Sequence, residues 1–253
     1  MLKIDLNCDM GESTALWPYT VEKDISLLRW ISSVNLACGF HAGDAHTMHE
    51  LVEAALTAGV AVGAHPGFAD KDNFGRSNMS LPPDKIYDII LYQLGALDAF
   101  LKVHGARLRH VKPHGALYNM AAKDGVMAEA ICRAVADYDD RLLLYGLSGS
   151  ELISAAAAAG LKSRSEVFAD RTYGDDGSLT PRSQPGALIA SEEASLQQVL
   201  QMIRSGIVVS TNGKQVPIVA ETICLHGDGE HALPFAKRIY ETLKQEGIET
   251  RPD

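Results

Sequence analysis

One feature constrains this chain more than any other: short apolar runs, each ended by polar turn residues, alternate with segments of helical spacing. The apolar runs occupy residues 3–9, 34–38, 60–64, 109–112, 142–145, 166–169 and 221–225. Helical patterns fill residues 21–31, 84–103, 124–136 and 231–245, the alanine-rich run up to Gly160, and a segment after Ser191. The helix after Asp44 shows the logic. Asp44 suits an N-cap, Met48, Leu51, Val52, Ala55 and Leu56 make one apolar stripe, and Gly59 stops it.

Seven βα units in succession predict a parallel sheet with helices outside it. Closing that sheet makes a seven-stranded parallel α/β barrel, one unit short of the usual eight. A doubly wound open sheet is the alternative. Residues 207–218 break the pattern, because two β-rich runs flank Asn212-Gly213, and this predicts a hairpin insertion. No repeat, linker or composition shift divides residues 1–253, which read as one barrel domain.

Formal net charge is -9, which argues against a nucleic-acid surface. Cys8, Cys38, Cys132 and Cys224 form no CxxC pair. The chain enters a strand pattern at Lys3, without the apolar segment of a signal peptide, and has no stretch long enough to span a membrane. A reduced, cytoplasmic protein is expected.

Polar residues gather where the strands end. DLNCDMGE carries Asn7, Asp9 and Glu12, NLACGFHAGD carries His41 and Asp44, and GAHPGF carries His65. VKPHGALYN carries Lys112, His114 and Asn119, VFADRTY carries Asp170 and Arg171, and CLHGD carries His226 and Asp228. In a parallel barrel these ends share one rim, where sites form. Asp5, Asn7 and Asp9 alternate with Ile4, Leu6 and Cys8 and so share a face. Such a face can point inward only if it is hydrogen-bonded, so a polar funnel is expected.

Structural readings compete with functional ones. Asp44 and Asp228 suit N-caps, and His46 and His49 suit a solvated helix face. Cys8 and Cys38 read as small core residues, while Cys224 shares a face with His226. Lys112 resists a structural reading, because lysine is rarely buried unpaired. If a divalent metal is present, Asp9, His41 and His65 are the expected ligands, although no HExxH spacing occurs. Walker, GxGxxG and GxSxG motifs are absent too. Arg76, Arg171, Arg182 and Lys112 are the cations suited to phosphate or carboxylate.

These motifs, with FGR, DGSLTPRS and PGA between them, resemble the LamB/YcsF family of bacterial 5-oxoprolinase A subunits, from Asp5 to Asp228. Ser77 stands where a second arginine would follow Arg76. The resemblance implies a glycoside hydrolase/deacetylase-like seven-stranded barrel. It also implies one component of an enzyme that, with subunits B and C and ATP, opens the lactam of 5-oxo-L-proline to L-glutamate. Asp9, His41, His65, Lys112, His114, Asp170, Arg171 and His226 are the expected catalytic set. Asn7, Glu12, Asp44, Arg76, Asn119 and Arg182 are expected to bind substrate or phosphate. A stand-alone metal-dependent deacetylase or amide hydrolase is the runner-up, and a non-catalytic ligand-binding component is the third reading.

Overall fold

The computed structural model describes residues 2–16, 18, 20–225 and 232–252. His226 and Asp228 therefore lie outside the described residues. The strands are β1 (Lys3–Met10), β2 (Ser33–Ala37), β3 (Ala61–His65), β4 (His110–Val111), β5 (Leu143–Leu147), β6 (Ser163–Phe168), β7 (Ile207–Val209), β8 (Gln215–Pro217), β9 (Thr222–Leu225) and β10 (Glu249–Thr250). The α-helices are α1 (Val21–Leu27), α2 (Ala45–Ala58), α3 (Pro83–Val103), α4 (Gly115–Ala121), α5 (Gly125–Asp139), α6 (Glu151–Ala158), α7 (Glu192–Ser205) and α8 (Ala232–Gln245).

Strands β1, β2, β3, β4, β5, β6 and β9 pair in that order, all parallel, and β9 pairs back onto β1. The sheet is thus a closed seven-stranded barrel, not the open doubly wound alternative. Closure removes the exposed sheet edge. At the start of β1, Lys3 and Ile4 pair with β10, and from Asp5 onward the same strand pairs with β9. Apolar side chains of β1 (Ile4, Leu6, Cys8, Met10) are buried outward against the helices. Asp5 and Asn7, on the other face, are buried too.

Local chemistry sets most element ends. Asp44 caps α2 by accepting from Thr47 N at 2.9 Å, and Gly59 closes it in the left-handed region. Ser191 caps α7 by accepting from Ala194 N. The predicted hairpin is present as β7 and β8, antiparallel, with Gly213 at φ +80° in its turn. It braces the loop after β6: Thr211 N donates to Tyr173 O, and Asn212 Nδ2 donates to Asp175.

Three details differ from the sequence reading. The first helix gives way to a 3-10 turn over Leu28–Trp30. The fourth strand is only His110–Val111, because Pro113 has no N–H to continue a ladder, although Arg109 N and Lys112 N still bond to β3 carbonyls. Helix α4 was not expected, because its buried face (Leu117, Tyr118, Ala121) lies within a motif that reads as a polar turn.

Gly63 in β3 illustrates how the packed interior selects residues. A Cβ there would overlap the ring of His110, which stacks on Tyr145 with centroids 4.2 Å apart. The ring has no room to retreat. Gly63→Ala is expected to destabilise the fold by about 3 kcal/mol, the upper range for overpacking. A urea midpoint unchanged from wild type would refute that steric account.

Candidate active site

The barrel interior is polar along its length and is organised in tiers by β1. In the lowest tier Asp5 accepts from Ser32 Oγ (2.6 Å), Ser33 Oγ (2.7 Å), Thr222 Oγ1 (2.6 Å) and Tyr145 Oη (3.0 Å). Burial raises its carboxyl pKa, and those donors only partly offset this. In the middle tier Asn7 Nδ2 donates to Glu166 Oε1 (3.0 Å) and Thr222 Oγ1 (2.7 Å). Asn35 Nδ2 spans the upper tiers, donating to Asn7 Oδ1 (2.7 Å) and Asp9 Oδ1 (2.8 Å). Its Oδ1 lies 2.6 Å from His110 Nε2, so that nitrogen carries the proton.

Lys112 links the tiers. Its ammonium lies 2.9 Å from Asp9 Oδ1, 2.8 Å from Glu166 Oε1, 3.1 Å from Cys224 Sγ and 3.2 Å from Asn7 Oδ1. Burial would favour the neutral amine, but the carboxylates of Asp9 and Glu166 outweigh it and hold the pKa well above its usual value. Lysine is therefore a fixed cation here. Cys224 is fully buried, and burial pushes its thiol well up, against any role as a thiolate nucleophile.

Above Lys112 three histidines converge on one carboxylate oxygen. Glu12 Oε1 lies 2.9 Å from His114 Nδ1, 3.2 Å from His41 Nε2 and 3.4 Å from His65 Nε2. The opposite ring nitrogens of two of them are assigned by their partners. His65 Nδ1 meets Lys112 O at 2.7 Å and His114 Nε2 meets Phe74 O at 2.8 Å, and a carbonyl can only accept. Phe74, the one described non-glycine residue at positive φ (+56°), aims that carbonyl. His65 Nε2 and His114 Nδ1 then face each other at 3.0 Å with at least one proton needed between them. Burial alone would keep His65 neutral, but Asp9 and Glu12 overcome it and raise its pKa to about 9. His41, stacked on His114 at 3.7 Å, is driven the other way, to about 3, chiefly by burial.

Close packing makes this cluster depend on glycine. A Cβ on Gly75, whose φ is +64°, would sit 2.6 Å from His41 Cβ and 2.9 Å from His114 Cδ2. Both the backbone conformation and the space exclude other residues.

A cavity of about 860 Å³ opens onto this cluster at the C-terminal ends of the strands. Of the residues singled out from sequence, Asp9, Glu12, His65, Arg76, Lys112, His114, Asn119, Arg171 and Arg182 line it. His41 lies behind Glu12, and Asn7 lies below Lys112. Asp44 is an exposed N-cap, and Asp170 does not line the cavity. Arg171 spends its guanidinium on Thr180 O and Ala187 O, which shapes the loop forming one wall. His46 is exposed as expected, whereas His49 packs on Phe100. The sequence reading passed over Glu166 and Tyr118, whose hydroxyl donates to Glu166 Oε2 at 2.7 Å. The available signal was a glutamate inside the apolar strand run SEVFAD.

The ligand set expected for a metal shifts. The nitrogen and oxygen atoms of Glu12, His41, His65 and His114 all lie within 4.8 Å of one another. Asp9 is instead held by Lys112 and Asn35, although it remains 3.4 Å from His65. Backbone carbonyls fix the His65 and His114 tautomers as in metal-ligating histidines. His41 Nδ1 is buried without a hydrogen-bond partner among the described residues. The donor set fits a divalent transition metal.

Depressed histidine pKa values also carry a stability consequence. His110 is lowered to about 3 by burial, with Lys112 and His65 adding to it. Between the unfolded value near 6.5 and that folded value, only the unfolded chain takes the proton. Stability is therefore full above pH 6.5 and falls with acidification, by about 1.4 kcal/mol per pH unit for each such group. His41 has the same sign. Urea unfolding at pH 6.5, 5.5 and 4.5 should show this slope, and His110→Gln should reduce it by about half. An unchanged slope in the variant would refute the assignment.

With this geometry in place, comparison with known proteins is direct. The LamB/YcsF family model matches residues 4–253. The chain belongs to the LamB/YcsF family. Two relatives carry the name of the 5-oxoprolinase A subunit. That of Geobacillus kaustophilus is 56% identical, covering 98% of this chain and 96% of the relative. That of Bacillus subtilis is 51% identical, with the same coverage. A crystal structure of the lactam utilization protein from Thermus thermophilus aligns with TM-score 0.90 and 43% identity over 99% of both chains. The catalytic domain of a peptidoglycan N-acetylglucosamine deacetylase from Eubacterium rectale aligns with TM-score 0.51 and 12% identity, covering 99% of this chain and 87% of that one. It shares the deacetylase-like barrel fold. No helix among the described residues is long and apolar enough to cross a membrane.

Proposed function

We propose that this LamB/YcsF protein is the A component of a cytoplasmic, ATP-dependent 5-oxoprolinase that opens 5-oxo-L-proline to L-glutamate together with subunits B and C. The observation that carries this reading is the convergence of Asp9, Glu12, His65, Lys112 and His114 on one cavity, in a chain 56% identical to a protein named for that component.

A lactam is a poor electrophile, because its nitrogen donates into the carbonyl. Phosphorylating the amide oxygen with ATP makes that oxygen part of a leaving group and exposes the carbon to water. In this reading Lys112 opposes negative charge developing on the substrate oxygen. Asp9, ionised and on the cavity wall, takes a proton from water, and His65 or His114 returns one to the ring nitrogen. Arg76 and Arg182, also on the wall, suit the substrate carboxylate or a phosphoryl group. His41 and Glu166 position Glu12 and Lys112. If a metal is bound, Glu12, His41, His65 and His114 hold it, and it supplies Lewis-acid polarisation.

The test combines metal analysis with glutamate release, with and without ATP and the partner subunits. Release that needs ATP and both partners, and that Asp9→Asn abolishes, supports the proposal. Chelator-sensitive amide hydrolysis by this chain alone replaces it with the metal-dependent hydrolase, a reading that the four-residue donor set favours.

A further inference from the structure

The end of the barrel opposite the candidate active site carries a second feature that the reaction does not use. Each of three consecutive strands starts beside basic residues: Arg107 and Arg109 before β4, Arg141 before β5, and Lys162 and Arg164 around the start of β6. Ladder bonds set these starts side by side. Leu143 N donates to Arg109 O at 3.1 Å, and Leu144 N donates to Lys162 O at 2.9 Å. Neighbouring strands lie about 5 Å apart, so the three starts form one short basic arc.

The arc encloses a cavity of about 330 Å³. Asp139 is its only carboxylate, and Arg141 grips it through two nitrogens at 2.8 Å. Arg164 rests on Ser163 O at 3.1 Å, with Glu221 farther away at 3.7 Å. The side chains of Arg107 and Lys162 have no hydrogen bond or ion pair among the described residues. This cationic excess occurs in a chain of net charge -9, so it is local and not a reflection of composition. Gathered like charges repel one another, and a multivalent anion would relieve that repulsion.

We propose that this cavity is an anion site for a small phosphate-bearing polyanion of the pyrophosphate class, free or as the phosphate chain of a nucleotide. Guanidinium forks and an ammonium match phosphoryl oxygens. The rest of the lining is aliphatic, from Leu108, Leu142 and Leu143, with no ring to stack on a base. The phosphates, not the base, define the ligand. Occupancy leaves the active-site cavity open, because the two lie at opposite ends of the barrel.

Calorimetric titration of the whole chain with pyrophosphate tests this. Arg76→Ala serves as a control for binding in the active-site cavity. The expected result is saturable, salt-sensitive binding, weakened about tenfold or more by Arg107→Glu with Lys162→Glu and unchanged by Arg76→Ala. ADP should bind within about threefold of pyrophosphate, since no base contact is available. No saturation by about 10 mM, beyond the weak end of ordinary specific binding, would overturn the proposal. So would equal affinity in the charge-reversed variant. Tighter binding of hexaglutamate that displaces pyrophosphate would also overturn it, assigning the arc to an acidic protein segment.

Discussion

Lys112→Met should abolish lactam opening by the reconstituted complex, a fall of about 10³-fold or more, and should destabilise the fold by about 3–5 kcal/mol. Both effects have one cause. The ammonium is buried between Asp9 at 2.9 Å and Glu166 at 2.8 Å. Methionine keeps the volume but leaves two carboxylates facing each other without a counter-charge. Burying such groups is costly unless one takes a proton. The lost stability should therefore shrink on acidification from pH 7 to pH 5, where wild type itself weakens. Urea unfolding at both pH values reads this difference, and coupled glutamate release reads turnover. Turnover within about tenfold of wild type would remove Lys112 from the chemistry. A stability deficit independent of pH would show that its ion pairs do not dominate.

That such a lysine could be singled out from sequence shows which parts of this site are legible. Lys112, His114, Asp9 and His65 follow apolar strand runs, and parallel-barrel topology sends all strand ends to one rim. The fold was legible for the same reason: the alternation of elements specifies a parallel sheet, and seven units favour closure. What escaped was the interior of the barrel. Glu166 sits in the middle of a strand, where a charge is unexpected until Lys112 and Tyr118 are seen around it. Asp5 belongs to the same polar core, and its four hydroxyl partners come from β2, β5, β9 and the turn before β2. Such partners are separated by up to 217 positions, a distance that local spacing cannot bridge. The ligand set moved for a related reason. Asp9 and Glu12 both follow the first strand, and only coordinates reveal that Lys112 claims the first while three imidazoles claim the second. Helix α4 was hidden because Gly115, its first residue, has φ +53° and Pro113 precedes it.

Glu12→Gln should lower turnover by about 10²–10⁴-fold while leaving the fold nearly as stable as wild type. The substitution keeps shape and removes charge. Glu12 ionises far below the ordinary range: burial opposes this, but His114 overrides it, aided by hydrogen bonds from all three histidines. Its side chain is 12% exposed at the cavity wall, so an amide there can find water as a partner. That separates it from Lys112, whose loss strands charges in the interior. The decisive readout is the alkaline limb of the pH profile. In wild type, activity that needs protonated His65 should fall as pH rises through about 9. Without the Glu12 carboxylate, Asp9 alone supports the imidazolium, and the limb should move toward neutrality. Cutting turnover without moving the limb would make Glu12 a positioning residue with no electrostatic hold on His65. Leaving both unchanged would mean that the convergence of three imidazoles on this carboxylate serves packing, and that the chemistry is done elsewhere in the cavity.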